Sequence, residues 1–240
     1  MKELYMKLDS AKQLVKQSLK PEQLKHLLPL LAYMMIYLLW WSHLEDKVTT
    51  HFRVIHMSID DHIPFCELFI VPYLMWFGYV SVTVMLLFFL DDTKKDYYRC
   101  LCFLFTGMTL FLIISTIMPN GHELRPAVMP RDNIFTRMIA ALWRMDTPTN
   151  LWPSIHVYNS LGAHFAIMKS KAFEKHHLLQ IFSLLLSVSI ILSTVLIKQH
   201  SMFDVLTALA LATVMFVIVY GRRNSETQEM YSRSSKFGTN

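Results

Sequence analysis

The stretch L-F-I-V-P-Y-L-M-W-F-G-Y-V-S-V-T-V-M-L-L-F-F-L, residues 68–90, decides the fold class, because it contains no charged side chain. A helix needs about 20 apolar residues to cross a hydrocarbon core of ~30 Å. Further apolar runs of this kind lie at residues 27–44, 101–117, 152–168, 178–197 and roughly 202–220. The content of 53% apolar residues and the mean hydropathy of +0.34 are typical of a membrane protein. Together with the six apolar runs, they predict an all-α fold, a polytopic bundle of six transmembrane helices.

The apolar runs divide the 240 residues into three predicted segments. Residues 27–220 form the six-span membrane domain, and residues 221–240 form a polar cytoplasmic tail. Residues 1–26 carry apolar side chains at helical spacing with lysines beside them, which predicts a cytoplasmic amphipathic helix lying on an anionic leaflet. A solvated helix or a frayed tail is the alternative for this segment.

The distribution of basic residues predicts the orientation of the chain. With six crossings, sixteen of the 23 Lys and Arg residues lie on the side of the N-terminus and seven on the other side. Both termini of this multi-pass protein of the plasma membrane are therefore expected to be cytoplasmic. The formal charge of +5 is spread through the loops and forms no basic patch interleaved with aromatic residues, so we expect no nucleic-acid partner.

Two long loops, residues 45–67 and 118–151, are external in this topology, and residues 134–143 within the second predict a short interfacial helix. Arg125 lies in the second loop, His156 about one turn into the fourth predicted span, and His200 between the fifth and sixth spans. All three are thus expected at the external membrane face.

The spacing of these residues is suited to phosphoryl transfer. Asp204 stands four residues after His200, so both side chains face one side of a helix. The carboxylate can accept the Nδ1 proton of the imidazole and leave Nε2 as a nucleophile. His156 can protonate the departing alcohol oxygen, and Arg125 offers a planar fork to the phosphate oxygens.

Helix-terminal groups beside His156 can add anion donors. Ser154 and the backbone amides after Pro153 are expected at a helix N-terminus, where anions bind well. Pro153 itself is expected in the first helical turn.

The same residues also have purely structural readings. The His200–Asp204 pair can be a helix-end hydrogen bond, His156 an interior histidine bonded across helices, and Arg125 an interfacial anchor. Asp60 and Asp61 lie close to His62, but no metal-binding spacing accompanies them, so a solvated loop or one polar residue lining the site mouth is the favoured interpretation. We expect neither a metal nor a cofactor.

Three segments together resemble the motifs of the type 2 phosphatidic acid phosphatase superfamily. They are Arg125-Pro126, P-S-I-H at residues 153–156, and S-T-V-L-I-K-Q-H-S-M-F-D at residues 193–204. The family's pattern is K-x6-R-P, P-S-G-H and S-R-x5-H-x3-D, and I-P-F-C-E-L-F-I-V-P-Y-L-M-W at residues 63–76 also looks like the second-span entrance of bacterial members.

The resemblance covers roughly residues 60–220 and implies a six-span helical fold with a metal-independent external site. By position it implies His200 as nucleophile, Asp204 as its orienting partner and His156 as general acid. It likewise implies Arg125 and Ser154 as phosphate ligands.

Three positions depart from the family's pattern. Met118 stands at the motif lysine, Ile155 at the glycine, and Thr194 at the arginine. Two phosphate-binding cations are therefore missing, and Lys198 or Arg131 is expected to supply part of that charge. The combination of P-S-x-H-V with K-Q-H is also similar to a subgroup that includes phosphosphingolipid synthases.

Three functions follow from these residues. The first is an integral membrane phosphatase that hydrolyses a lipid phosphate or lipid diphosphate at the outer leaflet through a phosphohistidine. The second is a phosphotransferase that moves a phospho-headgroup to a lipid alcohol, and the third is a catalytically silent, lipid-binding membrane protein. The sequence leaves open the lipid and the oligomeric state.

Overall fold

The computed structural model describes residues 20–47 and 51–221, and within them the chain is mostly helical. The amphipathic helix predicted at residues 1–26 falls mostly, and the polar tail predicted at residues 221–240 almost wholly, outside the described residues. The α-helices are α1 Pro21–Leu24, α2 Leu28–Lys47, α3 Ile70–Leu90, α4 Lys95–Ile117, α5 Ile134–Met145, α6 Ile155–Lys169, α7 His177–Leu196 and α8 Met202–Tyr220. Short 3-10 turns lie at Lys25–Leu27, Ser58–Asp61, Glu67–Phe69 and Lys171–Phe173.

Among the residues that the structure describes, five helical segments are long and apolar enough to cross a membrane. They are Pro21–Lys47, Glu67–Leu90, Lys95–Ile117, His177–Leu196 and Met202–Tyr220. Together with the helical architecture they confirm the predicted class, an all-α membrane bundle, but they do not confirm the count of six spans.

The fourth predicted span, residues 152–168, forms the shorter helix α6. Its 15 residues extend about 22 Å at 1.5 Å per residue, less than a hydrocarbon core of ~30 Å. Most of them are buried, and α6 contacts α3, α4, α7 and α8. This helix is therefore the core of the bundle, and its apolar side chains face protein.

Small residues let α6 pack closely against α4. A Cβ atom added to Gly162 would lie 2.6 Å from Cδ1 of Phe103, and one added to Gly107 would overlap the ring of Tyr158. The rings of Phe103 and Tyr158 stack with centroids 4.6 Å apart, and the Tyr158 hydroxyl donates to the Phe103 carbonyl oxygen. Both glycines are thus required by the close approach of neighbouring helices.

The loops at one end of the bundle are joined into a single layer, which we call the site end. Strand β1, Arg53–Val54, pairs in parallel with β2, Asn120–Gly121, and Gly121 also forms an antiparallel bridge to Thr149. The Asn120 side-chain oxygen accepts from the backbone N–H groups of Leu151 and Trp152, each at 2.9 Å. These bonds hold the chain that enters α6.

Helix α5 lies in the same layer and confirms the short helix predicted at residues 134–143. It begins at Asn133, whose side-chain oxygen accepts from the Thr136 N–H at 3.0 Å. Its buried Ile139 belongs to a cluster with Ile70 and Ile197, while Ile134 at its start is exposed. Helix α5 therefore covers the starts of α3 and the α7–α8 connection.

Candidate active site

A tight turn between α7 and α8 presents His200. The N–H groups of Gln199 and His200 both donate to the Thr194 carbonyl oxygen, at 2.9 and 3.0 Å. Lys198 in this turn adopts a left-handed backbone with φ of 55°. Thr194 thus contributes its backbone carbonyl group to the position of His200.

Asp204 orients the ring of His200. The distance from His200 Nδ1 to Asp204 Oδ2 is 3.2 Å, and both side chains are buried. The same carboxylate oxygen accepts the N–H of Ser201, the residue that caps α8. A proton on Nδ1 satisfies this contact, and the other ring nitrogen, Nε2, is then unprotonated.

Burial keeps His200 neutral. Burial, followed by the nearby positive charge of Arg125, lowers the pKa of this imidazole to about 3. A neutral imidazole is the form that attacks phosphorus.

His156 faces His200 across the site, with ring centroids 5.7 Å apart. Its ring stacks on Tyr73 at 4.5 Å and lies 4.3 Å from Trp76, both on α3. Neither ring nitrogen has a hydrogen-bond partner, although the residue is buried. The structure therefore has no hydrogen bond from His156 to another helix, contrary to that structural reading. Leaving a buried polar group unpaired costs about 1–3 kcal/mol.

Three further buried atoms near the histidines also lack partners, namely Asp204 Oδ1, Arg125 Nε and Trp76 Nε1, and other such atoms, for example Ser115 Oγ, lie elsewhere in the described residues. Unsatisfied buried polar atoms are rare in native proteins, and several at one location are typical of a site that binds a polar ligand.

The guanidinium of Arg125 is held mostly by protein acceptors. It donates to the carbonyl oxygens of Trp143 and Asp146 at 3.2 and 2.9 Å and to Gln199 Oε1 at 2.6 Å. Its carbon lies 5.4 Å from the centroid of the Trp143 ring. Arg125 is therefore linked to the site by its hydrogen bond to Gln199, the residue that precedes His200.

Three members of this network, Gln199, Asp146 and Tyr73, were not predicted from the sequence. The amide of Gln199 donates to Asp146 Oδ2 at 2.7 Å and to the Tyr73 hydroxyl at 3.2 Å. Burial, followed by the neighbouring Glu45 carboxylate, raises the pKa of Asp146 to about 6. The polar K-Q-H string at the end of an apolar span was a signal for Gln199, whereas no local pattern indicated Asp146 or Tyr73.

His122 supports the same turn from the opposite side. Its Nε2 bonds the Gln199 carbonyl oxygen at 3.0 Å, and its Nδ1 accepts the N–H of Leu124 at 3.1 Å. The proton therefore lies on Nε2 and the ring is neutral. Burial lowers its pKa to about 4.

Ser154 caps α6, and its hydroxyl oxygen accepts from the Val157 N–H at 3.4 Å. The helix begins at Ile155, so Pro153 precedes the cap. The prediction that Pro153 lies in the first helical turn is therefore wrong. Ser154 is fully buried beside His156, which places it at the site but in a capping position.

The two cations expected to replace the missing motif charges bind elsewhere. Lys198 donates its ammonium group to the carbonyl oxygens of Asp60 and Ile63, at 3.0 and 2.6 Å, and lines an open cavity of about 420 Å³. Arg131 pairs with Glu67 at 2.8 Å. Neither side chain forms a hydrogen bond with His156 or His200.

Asp60 is buried and structural. Its Oδ2 accepts from the Ser201 hydroxyl at 2.5 Å and its Oδ1 from the Met202 N–H at 2.8 Å, so it caps α8 from a distant loop. Asp61 is exposed and pairs with His56 at 2.8 Å. The solvated-loop reading thus holds for Asp61 and is wrong for Asp60. Within residues 20–47 and 51–221, no group of three His, Cys, Asp or Glu side chains is arranged to hold a metal ion.

Comparisons with protein-family models, with characterised proteins and with solved structures each return no match to this chain.

Proposed function

We propose that the protein is an integral membrane phosphatase that hydrolyses a lipid phosphate or lipid diphosphate through a phosphohistidine. The observation that carries the proposal is the pair of buried histidines at the site end, one oriented by Asp204 and the other without a hydrogen-bond partner. The resemblance of residues 153–156 and 193–204 to the type 2 phosphatidic acid phosphatases supports the same chemistry.

In the first half of the reaction, Nε2 of His200 attacks phosphorus and the bond from phosphorus to the lipid oxygen breaks. His156 gives a proton to the departing oxygen, and the phosphate dianion supplies the negative charge that keeps this proton on His156 before transfer. Asp204 stabilises the imidazolium that forms on His200. In the second half, water attacks phosphorus while His156 takes a proton from it, and the bond from phosphorus to Nε2 of His200 breaks. Inorganic phosphate is released, and His200 returns to its neutral form.

Phosphate release from a panel of lipid phosphates by the purified protein in chelator tests this proposal. The expected result is release by the wild type and its loss in His200→Ala and His156→Ala. His164→Ala is the matched control, because His164 lies two turns further along α6 and bonds Ser183 at 3.1 Å, away from the site. Equal activity in all three variants would refute the histidine mechanism.

A phosphotransferase is the second candidate, and the aromatic surroundings of His156 favour it. Tyr73, Trp76 and Phe77 all lie against this ring, and an apolar wall limits the access of water to a phosphohistidine. A lipid alcohol would then take the phosphoryl group, and the products would contain a new phospholipid and little free phosphate. Binding without any turnover would favour the silent lipid-binding protein.

The proposed orientation places the site end outside the plasma membrane, as the distribution of basic residues supports. Val128, which is exposed in the loop after β2, and Glu174, which is exposed between α6 and α7, are suitable cysteine positions in a variant without Cys66 and Cys102. An impermeant reagent should label Val128→Cys in intact cells and label Glu174→Cys only after the membrane is opened. The reverse pattern would overturn the orientation.

A further inference from the structure

Gln199 occupies a position between a cation and a carboxylate. Its side chain is fully buried, its Oε1 accepts from Arg125 at 2.6 Å, and its Nε2 donates to Asp146 Oδ2 at 2.7 Å. One amide therefore satisfies both charged groups with opposite ends. A glutamine suits this place because its amide has a donor and an acceptor on the same short group.

The amide separates two groups that would otherwise bind each other. Arg125 donates to the backbone oxygen of Asp146 at 2.9 Å, and the Asp146 carboxylate is bonded by Gln199. A direct contact between guanidinium and carboxylate would be a strong, commonly bidentate pair. A phosphate group would then have to compete with that carboxylate for Arg125.

The remaining capacity of Arg125 is consistent with this separation. Its Nε–H is buried and has no partner, so one donor of the fork is not used by the protein. Its charge is also felt by His200, which is adjacent to Gln199 in sequence. The amide thus leaves the guanidinium positively charged and close to the histidine.

We propose that Gln199 is a positioning residue of this site, which keeps the Asp146 carboxylate from neutralising Arg125 and so preserves the binding of the phosphoryl group. This inference rests on the proposed function. Gln199 acts through Arg125 and does not itself touch the reacting atoms.

The test is a double-mutant cycle on Gln199 and Asp146, with KM and kcat for the best lipid phosphate measured for each protein. Gln199→Ala should raise KM about tenfold or more, because a hydrogen bond to a charged group contributes about 1.5–3 kcal/mol. Asp146→Asn added to Gln199→Ala should restore KM towards the wild-type value. A purely structural role for Gln199 predicts the opposite, since a second truncation in one network adds damage.

Gln199→Glu is the second variant, since it keeps the shape of the side chain if Gln199→Ala fails to fold. Its carboxylate would pair with Arg125, so KM should rise here as well. An unchanged KM in either folded variant, or a double variant no better than Gln199→Ala, would overturn the inference.

Binding of inorganic phosphate, followed as protection against thermal unfolding, tests the inference without turnover. Gln199→Ala should require at least tenfold more phosphate than the wild type, and the double variant should recover. If the wild type binds phosphate in this pattern but hydrolyses no lipid phosphate, the phosphatase proposal fails and the role of Gln199 stands. If hydrolysis is present and phosphate binding is equal in all variants, only the role of Gln199 fails.

Discussion

Asp60→Asn should destabilise the site end much more than the adjacent Asp61→Asn. The Asp60 carboxylate accepts three hydrogen bonds, from the Ser201 hydroxyl at 2.5 Å, the Met202 N–H at 2.8 Å and the Met57 N–H at 2.8 Å. An asparagine in its place has a single acceptor oxygen, so at least one of these donors loses its partner. Each such loss costs about 1–3 kcal/mol when the donor is buried.

We therefore expect Asp60→Asn to lower the free energy of unfolding by about 2 kcal/mol, and Asp60→Ala by about twice as much. For a domain of this size, 2 kcal/mol corresponds to a fall in Tm of roughly 4–8 °C. Thermal unfolding in detergent measures this shift. Asp61→Asn is the matched control, because the Asp61 side chain is 63% exposed and pairs only with the exposed His56.

The catalytic consequence should follow the same ranking. Asp60 fixes Ser201 and the first turn of α8, which carries Asp204, and Ser201 follows His200 directly. Phosphate release by Asp60→Asn should therefore fall at temperatures where the protein is still folded. Equal Tm values and equal activity for Asp60→Asn and Asp61→Asn would refute this account of how α8 is held.

Three further predictions test the site and the packing. Asp204→Asn should lower kcat roughly 10³–10⁴-fold with little change in KM, because the amide no longer holds the Nδ1–H tautomer of His200; a fall of less than tenfold in phosphate release would contradict this role. Gly162→Ala should lower the free energy of unfolding by about 1–3 kcal/mol, measured as a lower Tm, because its Cβ atom would lie 2.6 Å from the Phe103 ring. The control Gly78→Ala places its Cβ atom near nothing within 4 Å and should not destabilise α3. Equal shifts in Tm would count against close packing of α6. Burial lowers the pKa of His122 to about 4, so on acidification the imidazole is protonated in the unfolded chain before it is protonated in the folded protein. The free energy of unfolding therefore falls as the pH drops below about 6.5, by about 2 kcal/mol at pH 5. His122→Gln should flatten the dependence of Tm on pH over this range, and an unchanged slope would be the contrary result.

The membrane helices could be predicted where the apolar side chains face lipid. The uncharged run at residues 68–90 corresponds closely to Ile70–Leu90, because length and hydropathy are the properties that a bilayer selects. The run at residues 152–168 forms the shorter, buried helix α6, which is not among the five long apolar helices, since average hydropathy does not distinguish a lipid-facing helix from one buried in protein. Its Asn159, Gly162 and His164 were the residues that indicated a core position.

The site was predictable to the extent that it is local in sequence. The structure has the predicted contact between His200 and Asp204 at 3.2 Å, although His200 precedes α8 and is held by the turn before it. The bond of Gln199 to Asp146 and that of Asp60 to Ser201 join segments far apart in the chain, and they depend on how the loops pack at the site end. No periodicity in a single sequence carries that information.

The two sides of the site bear on the choice between hydrolysis and transfer. On one side Trp76 and Phe77 of α3 lie against His156, and Phe77 is 55% exposed on the apolar surface of the bundle, which suits the approach of a lipid chain. An open polar cavity of about 420 Å³ lies nearby in the chain, lined by Lys198, Asp60 and Glu123 but by neither histidine. An acceptor that arrives from this polar side is water or a hydrophilic alcohol, whereas a membrane-embedded alcohol has to follow the leaving lipid past the aromatic rings. Because water is the more abundant of these acceptors, the arrangement supports hydrolysis as the second half of the proposed reaction.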